Sequence, residues 1–227
     1  VRGQILWIIG LNALYWGLMT LYPTPGCGPG SLTMECNFAR YVDGLLLSGH
    51  MWRATRVWDP EGIISTLPAI SSVLFGILTG HLLRRYTDHP ARLRHLFTIG
   101  AALLAAAYIL SIWMPFNKAL WTTPYALLMA GLASVLFGIW YWIADVQQWS
   151  RWFRPFEIFG SNSILMFLLS GTVAKLASRT GFHKWFYDNV CLAIAQPINA
   201  SLLYALANVL LLYLIAWGLW RRRWFLK

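Results

Sequence analysis

The chain has 227 residues, of which 58% are hydrophobic, 16% aromatic and only 11% charged. A soluble domain of this length cannot bury so much apolar surface, so lipid must cover the remainder. The net charge of +10 would suit a nucleic-acid partner in a soluble protein, but here the basic residues are sorted by side of a membrane, and no nucleic-acid partner is expected.

Six stretches are long enough to cross a bilayer core of roughly 30 Å, which takes about 20 residues at 1.5 Å each. In chain order they run from Gln4 to Tyr22, Ile63 to Leu83, Leu96 to Met114, Pro124 to Ile143, Phe156 to Leu176 and Asn199 to Trp220. Long apolar runs predict helices, where a barrel would need short segments of alternating polarity. The expected fold class is therefore all-α, a polytopic membrane protein of six transmembrane helices forming one domain over 1–227. Arg2, Arg84, Arg85, Arg92, Arg94, Arg151, Arg154, Arg221, Arg222, Arg223 and Lys227 fall on one side of these spans. Arg40, Arg53, Arg56, Lys118, Arg179 and Lys184 fall on the other, and Lys175 lies inside the fifth span. The positive-inside rule puts the richer side, with both termini, in the cytoplasm. Trp140, Trp142, Trp149, Trp152, Trp220 and Trp224 sit where interfacial aromatic belts are expected. The chain starts at Val1 and enters a span almost at once, so it reads as part of something longer; a cleaved signal peptide would reverse the predicted sidedness.

The first outer loop, Pro23 to Gly62, opens on a run of prolines and glycines that stops the first helix, and an interfacial helix is expected around Asn37 to Leu47. Cys27 and Cys36 share this loop; a disulfide and two free thiols are both compatible with the spacing, and Cys191 is left over. The inner connections, Arg84 to His95 and Ala144 to Pro155, are short and basic. Gly76 with Gly80, and Ser134 with Gly138, place small residues four apart, a spacing that lets helices approach closely.

Three polar clusters lie at the membrane boundaries, where polar groups need a partner or a wet cavity. Asp59-Pro60-Glu61-Gly62 stands just before the second span; its carboxylates suit either helix capping or binding of an amino or hydroxyl acceptor. Pro115-Phe116-Asn117-Lys118 and Trp121 form a tight turn, in which Lys118 and Trp121 read either as interfacial anchors or as acceptor contacts. Gly160-Ser161-Asn162-Ser163 opens the fifth span, and its amide and hydroxyls suit interhelical bonding or a ligand entering from the cytosol. The inner arginines serve topology and are also a candidate clamp for a phosphorylated ligand. His50 is the histidine nearest the acidic cluster in sequence, and no histidine or cysteine spacing suggests a metal.

Taken in order, Leu21-Tyr22-Pro23-Thr24-Pro25-Gly26, Asp59-Pro60-Glu61-Gly62-Ile63, Gly76 to Gly80, Asn117-Lys118-Ala119-Leu120-Trp121 and Gly160-Ser161-Asn162-Ser163 resemble the transmembrane acyltransferases typified by heparan-alpha-glucosaminide N-acetyltransferase and its bacterial relatives. The resemblance implies an enzyme that moves acetyl from cytosolic acetyl-CoA, its co-substrate, to an amino sugar or glycan across the membrane, without a metal. It implies that this chain is the C-terminal part, with the proposed catalytic histidine on a His-x-x-Trp-Asn-Gly-like motif of the N-terminal helices; the fragment alone is expected to be inactive. On this reading Asp59, Glu61, Asn117, Lys118 and Trp121 shape the acceptor side, while Asn162, Ser163 and Arg154 border the acyl donor. A bacterial inner membrane is the expected location, and a homo-oligomer is compatible with the sequence. The alternative is a non-enzymatic sugar permease or transporter subunit, although no broken-helix pair or inverted repeat is read from the sequence.

Overall fold

The structure is a computed structural model that describes residues 1–53, 55 and 58–226; Arg56 and Lys227 of the charge pattern lie outside the described residues, as does the side chain of Trp152. Every regular element among the described residues is helical. Five helices are long and apolar enough to cross a membrane, and a sixth span is made if a bent pair counts as one. The chain divides into two compact units, Val1–Gln147 and Gln148–Lys227.

In the first unit, α1 (Arg2–Leu21) leads through the long loop and the short α2 (Phe38–Leu46) to α3 (Thr66–Arg85). Then come α4 (His89–Leu110) and α5 (Thr123–Tyr141), which continues as a π-helical turn over Trp142–Val146. The basic connection is shorter than expected: Asp88 caps α4 by accepting from the Ala91 N–H at 3.0 Å, so only Tyr86–Asp88 separates α3 from α4. Arg92 locks this corner, its guanidinium donating to the carbonyls of Tyr86 (2.6 Å) and Leu83 (3.0 Å) and to the Tyr141 hydroxyl (2.9 Å). Those carbonyls end α3 without helical partners, so the arginine supplies the missing donors.

Small residues set the α4–α5 contact. A Cβ on Gly100 would lie 2.7 Å from Val135 Cγ2, and one on Gly131 would lie 3.0 Å from the Gly100 carbonyl. A Cβ on Gly138 would lie 3.2 Å from the Phe97 ring, and Ser134 donates to the Leu96 carbonyl at 3.0 Å. The expectation for Ser134 and Gly138 is met. That for Gly76 and Gly80 is not: among the described residues nothing stands within 4 Å of a Cβ on either.

The second unit holds α6 (Ser150–Gly160), α7 (Ser163–Arg179), the short α8 (Phe182–Phe186) and α9 (Leu192–Ile194), and α10 (Pro197–Arg221). The sequence predicts one uninterrupted fifth span; the chain instead turns by 82° between Phe153–Gly160 and Ser163–Arg179. The cause is local. The Asn162 backbone leaves the helical region, at φ −135° and ψ 41°, and its side chain reaches the C-terminal tail, donating to the Trp224 carbonyl (2.9 Å) and accepting from the Leu226 N–H (2.8 Å). An apolar core of Ile158, Met166 and Ala216 joins the two arms to α10.

Candidate functional site

One end of the first unit is built from loops. Cys27 and Cys36 are joined by a disulfide, which settles the choice the spacing leaves open. Next to it Asn37 caps α2, accepting from the Arg40 N–H at 2.8 Å. α2 turns Phe38, Ala39 and Asp43 inward, and a core of Tyr15, Met19, Phe38, Ile64, Met114 and Leu120 gathers α1, α2, the start of α3 and the turn before α5. Through this core both outer polar clusters reach the same end of the unit.

The Asp59-Pro60-Glu61-Gly62 turn is shaped by carboxylates. Asp59 accepts from the backbone N–H groups of Trp52 and Glu61, both at 2.9 Å. Beneath it lies Asp43, a residue no sequence motif singles out, only 1% exposed and accepting from the Ile63 N–H at 3.0 Å. Burial pushes its carboxyl above the ordinary aspartate range; the backbone N–H groups of Ile63 and Asp59 pull the other way, and the Asp59 charge adds to the upward push. Glycine at 62 is a matter of space: a Cβ there would overlap the Asp43 carboxylate. Glu61 is exposed, and His50 is exposed with its ring against the Ser48 carbonyl, 3.3 Å away.

In the second cluster, the Asn117 side-chain oxygen accepts from the N–H groups of Ala119 (2.9 Å) and Leu120 (3.2 Å), which closes the turn. Tyr15 donates to the Leu120 carbonyl at 2.9 Å. Trp121 adopts φ 51°, and its indole N–H reaches Ser72 of α3 at 3.1 Å. Lys118 is exposed. Both carboxylate oxygens of Asp59 and the side-chain oxygen of Asn117 therefore shape turns, and Glu61 and Lys118 present charge outward.

At the opposite, basic end of the first unit a cavity of about 560 Å³ is lined by His81, Arg84, Arg85, Tyr86 and His95 together with aliphatic side chains, among them Ile5, Leu78, Leu82 and Ile99. Tyr86 and His95 stack with ring centres 4.0 Å apart, Arg85 lies over the Tyr86 ring, and Gln4 meets His81 at 3.4 Å. Two guanidinium groups beside a stacked aromatic pair suit a phosphorylated ligand that also carries a flat ring. Of the donor residues expected from the sequence, Arg154 is exposed and lies over the Trp220 ring at 5.2 Å, Ser163 is exposed in the first turn of α7, and Asn162 is buried with both ends of its amide on the tail.

Membrane-length helices, a crosslinked loop at one end of the first unit and a cationic cavity at its other end define an integral, polytopic helical membrane protein. No family model matches the chain. Over 99% of its length it is 26% identical to heparan-alpha-glucosaminide N-acetyltransferase of Homo sapiens and 25% identical to that of Mus musculus. The chain is thus distantly similar to that enzyme, in line with its motifs, and it spans 37% of the length of these relatives.

Proposed function

We propose that the chain is the C-terminal part of a membrane-bound acyltransferase that moves an acetyl group from acetyl-CoA, held on the cytoplasmic side, to an amino sugar on the other side of a bacterial inner membrane. The observation that carries this reading is the similarity to an N-acetyltransferase over 99% of the chain. The cationic, aromatic cavity at the basic end supports it, because that is the end the positive-inside rule assigns to the cytoplasm, where acetyl-CoA is found.

Each group has a role on this reading. In the first unit Arg84 and Arg85 hold the donor's phosphates, and the Tyr86–His95 pair receives its base; in the second unit Asn162 orders the C-terminal tail. Glu61, Lys118 and Trp121 meet the acceptor, and Asp59 and Asn117 hold the turns that present them. Bringing thioester and amine together supplies much of the rate by proximity. The group that takes the amine proton is expected outside this chain.

The test is transfer from labelled acetyl-CoA to glucosamine by the whole protein, wild type and Arg84→Ala/Arg85→Ala. Transfer by the wild type with a KM for acetyl-CoA raised at least several-fold in the variant supports the proposal. A whole protein that neither transfers acetyl nor binds coenzyme A, yet exchanges labelled sugar across vesicles, overturns it in favour of a permease. That second reading rests on the 82° break between α6 and α7, since interrupted spans mark the sites of many transporters.

A further inference from the structure

We propose that the fold-back of the tail after α10 forms a site for an anionic phospholipid, with Arg223 taking the lipid phosphate and the apolar walls around it taking hydrocarbon. The site lies wholly within the second unit and is independent of the acyltransferase reading.

The site begins with the way α10 ends. The Arg223 N–H donates to the Trp220 carbonyl and the Trp224 N–H to the Leu219 carbonyl, both at 3.0 Å, the paired bonds that close a helix where the chain turns left-handed. Arg223 is the residue at that turn, with φ 54°. Glycine ordinarily fills such a position, because a Cβ there crowds the following carbonyl. The turn sends Trp224, Phe225 and Leu226 back to the elbow between α6 and α7. There Asn162, only 2% exposed, holds them by donating to the Trp224 carbonyl and accepting from the Leu226 N–H.

The fold-back borders a cavity of about 430 Å³, lined by Leu165 of α7, Leu219 of α10 and residues 223–226. Arg223 is the charged residue of that lining, and it is exposed, as are Phe225 and Leu226. Arg222 stands beside it, its guanidinium over the Trp224 ring and 5.6 Å from the ring centre. A guanidinium stacked by its face keeps its in-plane N–H groups for an anion. In sequence, α6, the elbow and the end of α10 hold Arg151, Arg154, Arg221, Arg222 and Arg223 against one carboxylate, Glu157, so the end is cationic overall. A soluble anion would bind the arginine but leave the apolar walls in water, and a hydrocarbon alone would cover the walls but leave the charge without a partner. An anion carried on a hydrocarbon body satisfies both, and arginine holds phosphate through two parallel bonds. α10 has the length and composition of a span, so its basic end stands at the level of the bilayer phosphates, where anionic lipids gather at basic residues. The positive-inside rule asks only for charge on this side. An arginine at a glycine position, set among apolar walls, goes beyond that requirement.

The whole protein in phosphatidylcholine nanodiscs is photolabelled with a trace of phosphatidylglycerol carrying a diazirine on its acyl chain, and separately with phosphatidylcholine carrying the same chain. The labelled peptides are then sequenced. Phosphatidylglycerol is expected to label Leu219 to Leu226 and the first turn of α7 at least several-fold more than the phosphatidylcholine probe does. Arg223→Gly should lower that labelling roughly three- to tenfold, the effect of losing one charge-assisted hydrogen bond at an exposed site. Glycine suits the left-handed turn, so this variant keeps the fold. Arg151→Gln, which removes the same charge from α6, should leave the labelling unchanged. Equal labelling by the two probes, or an equal fall in both variants, would mean that bilayer contact or overall charge suffices, and would overturn the inference. So would undiminished labelling of the Arg223→Gly protein. Loss of label on adding soluble glycerol phosphate would make the occupant a soluble phosphate ester and overturn it as well.

Discussion

Gly62 and Asp43 fit together because one has no side chain and the other is buried against it. A methyl at 62 would overlap the Asp43 carboxylate, so Gly62→Ala is expected to cost about 1–3 kcal/mol of stability in the wild type, in the range of overpacked sites. The same change in an Asp43→Ala background should cost far less, and a double-mutant cycle of thermal midpoints measures the difference. Asp43→Ala alone strands the Ile63 N–H and is expected to cost about 1–3 kcal/mol. The acidity of Asp43 adds a pH dependence. Its carboxyl titrates above the ordinary aspartate range when folded, so its contribution is fully present below the unfolded pKa of about 3.9 and is lost as pH rises through the higher folded value. Hydrogen exchange at the Ile63 amide should therefore reveal more frequent opening as pH is raised across that window, after correction for intrinsic exchange. Asp43→Asn should abolish that trend.

Between elements, glycine spacing alone does not tell which face a neighbour covers. Gly76 with Gly80 and Ser134 with Gly138 are equally good pairs on paper, yet α5 packs closely on its partner along the second pair and along Gly131, whereas among the described residues nothing comes that close to the first pair. The substitutions should accordingly differ in sign. Gly131→Ala is expected to lower the thermal midpoint, because its methyl would meet Leu104 and the Gly100 backbone. Gly76→Ala should leave the midpoint unchanged or raise it, since alanine is the better helix former by about 0.5–1 kcal/mol. The spans themselves were legible because hydrophobic length is a local property. The turn at Asn162 was not, because it depends on hydrogen bonds to Trp224 and Leu226, far along the chain. Asp43 escaped notice for the same reason: its partners follow a long loop, and nothing within α2 reveals them. Asn162→Ala should release the tail, with increased proteolysis after Arg223 as the readout and a cost of about 1–3 kcal/mol.

At the scale of the molecule, the loop end and the basic end of the first unit carry different chemistry. One has exposed Glu61 and Lys118 above a buried carboxylate, and the other has arginines beside a stacked aromatic pair. The proposed transfer across a membrane needs such a division between acceptor and donor. Raising the salt concentration should accordingly weaken coenzyme A binding by the whole protein, because exposed guanidinium–phosphate attraction is screened. The Cys27–Cys36 bond bears on sidedness in a second way. Disulfides persist in oxidising compartments and are rare in the cytosol, so on the proposed orientation the crosslink can close only once the loop has crossed the membrane. Its closure thereby becomes a record of correct insertion: a chain threaded the wrong way round would keep two free thiols, open to alkylation, on the cytosolic face.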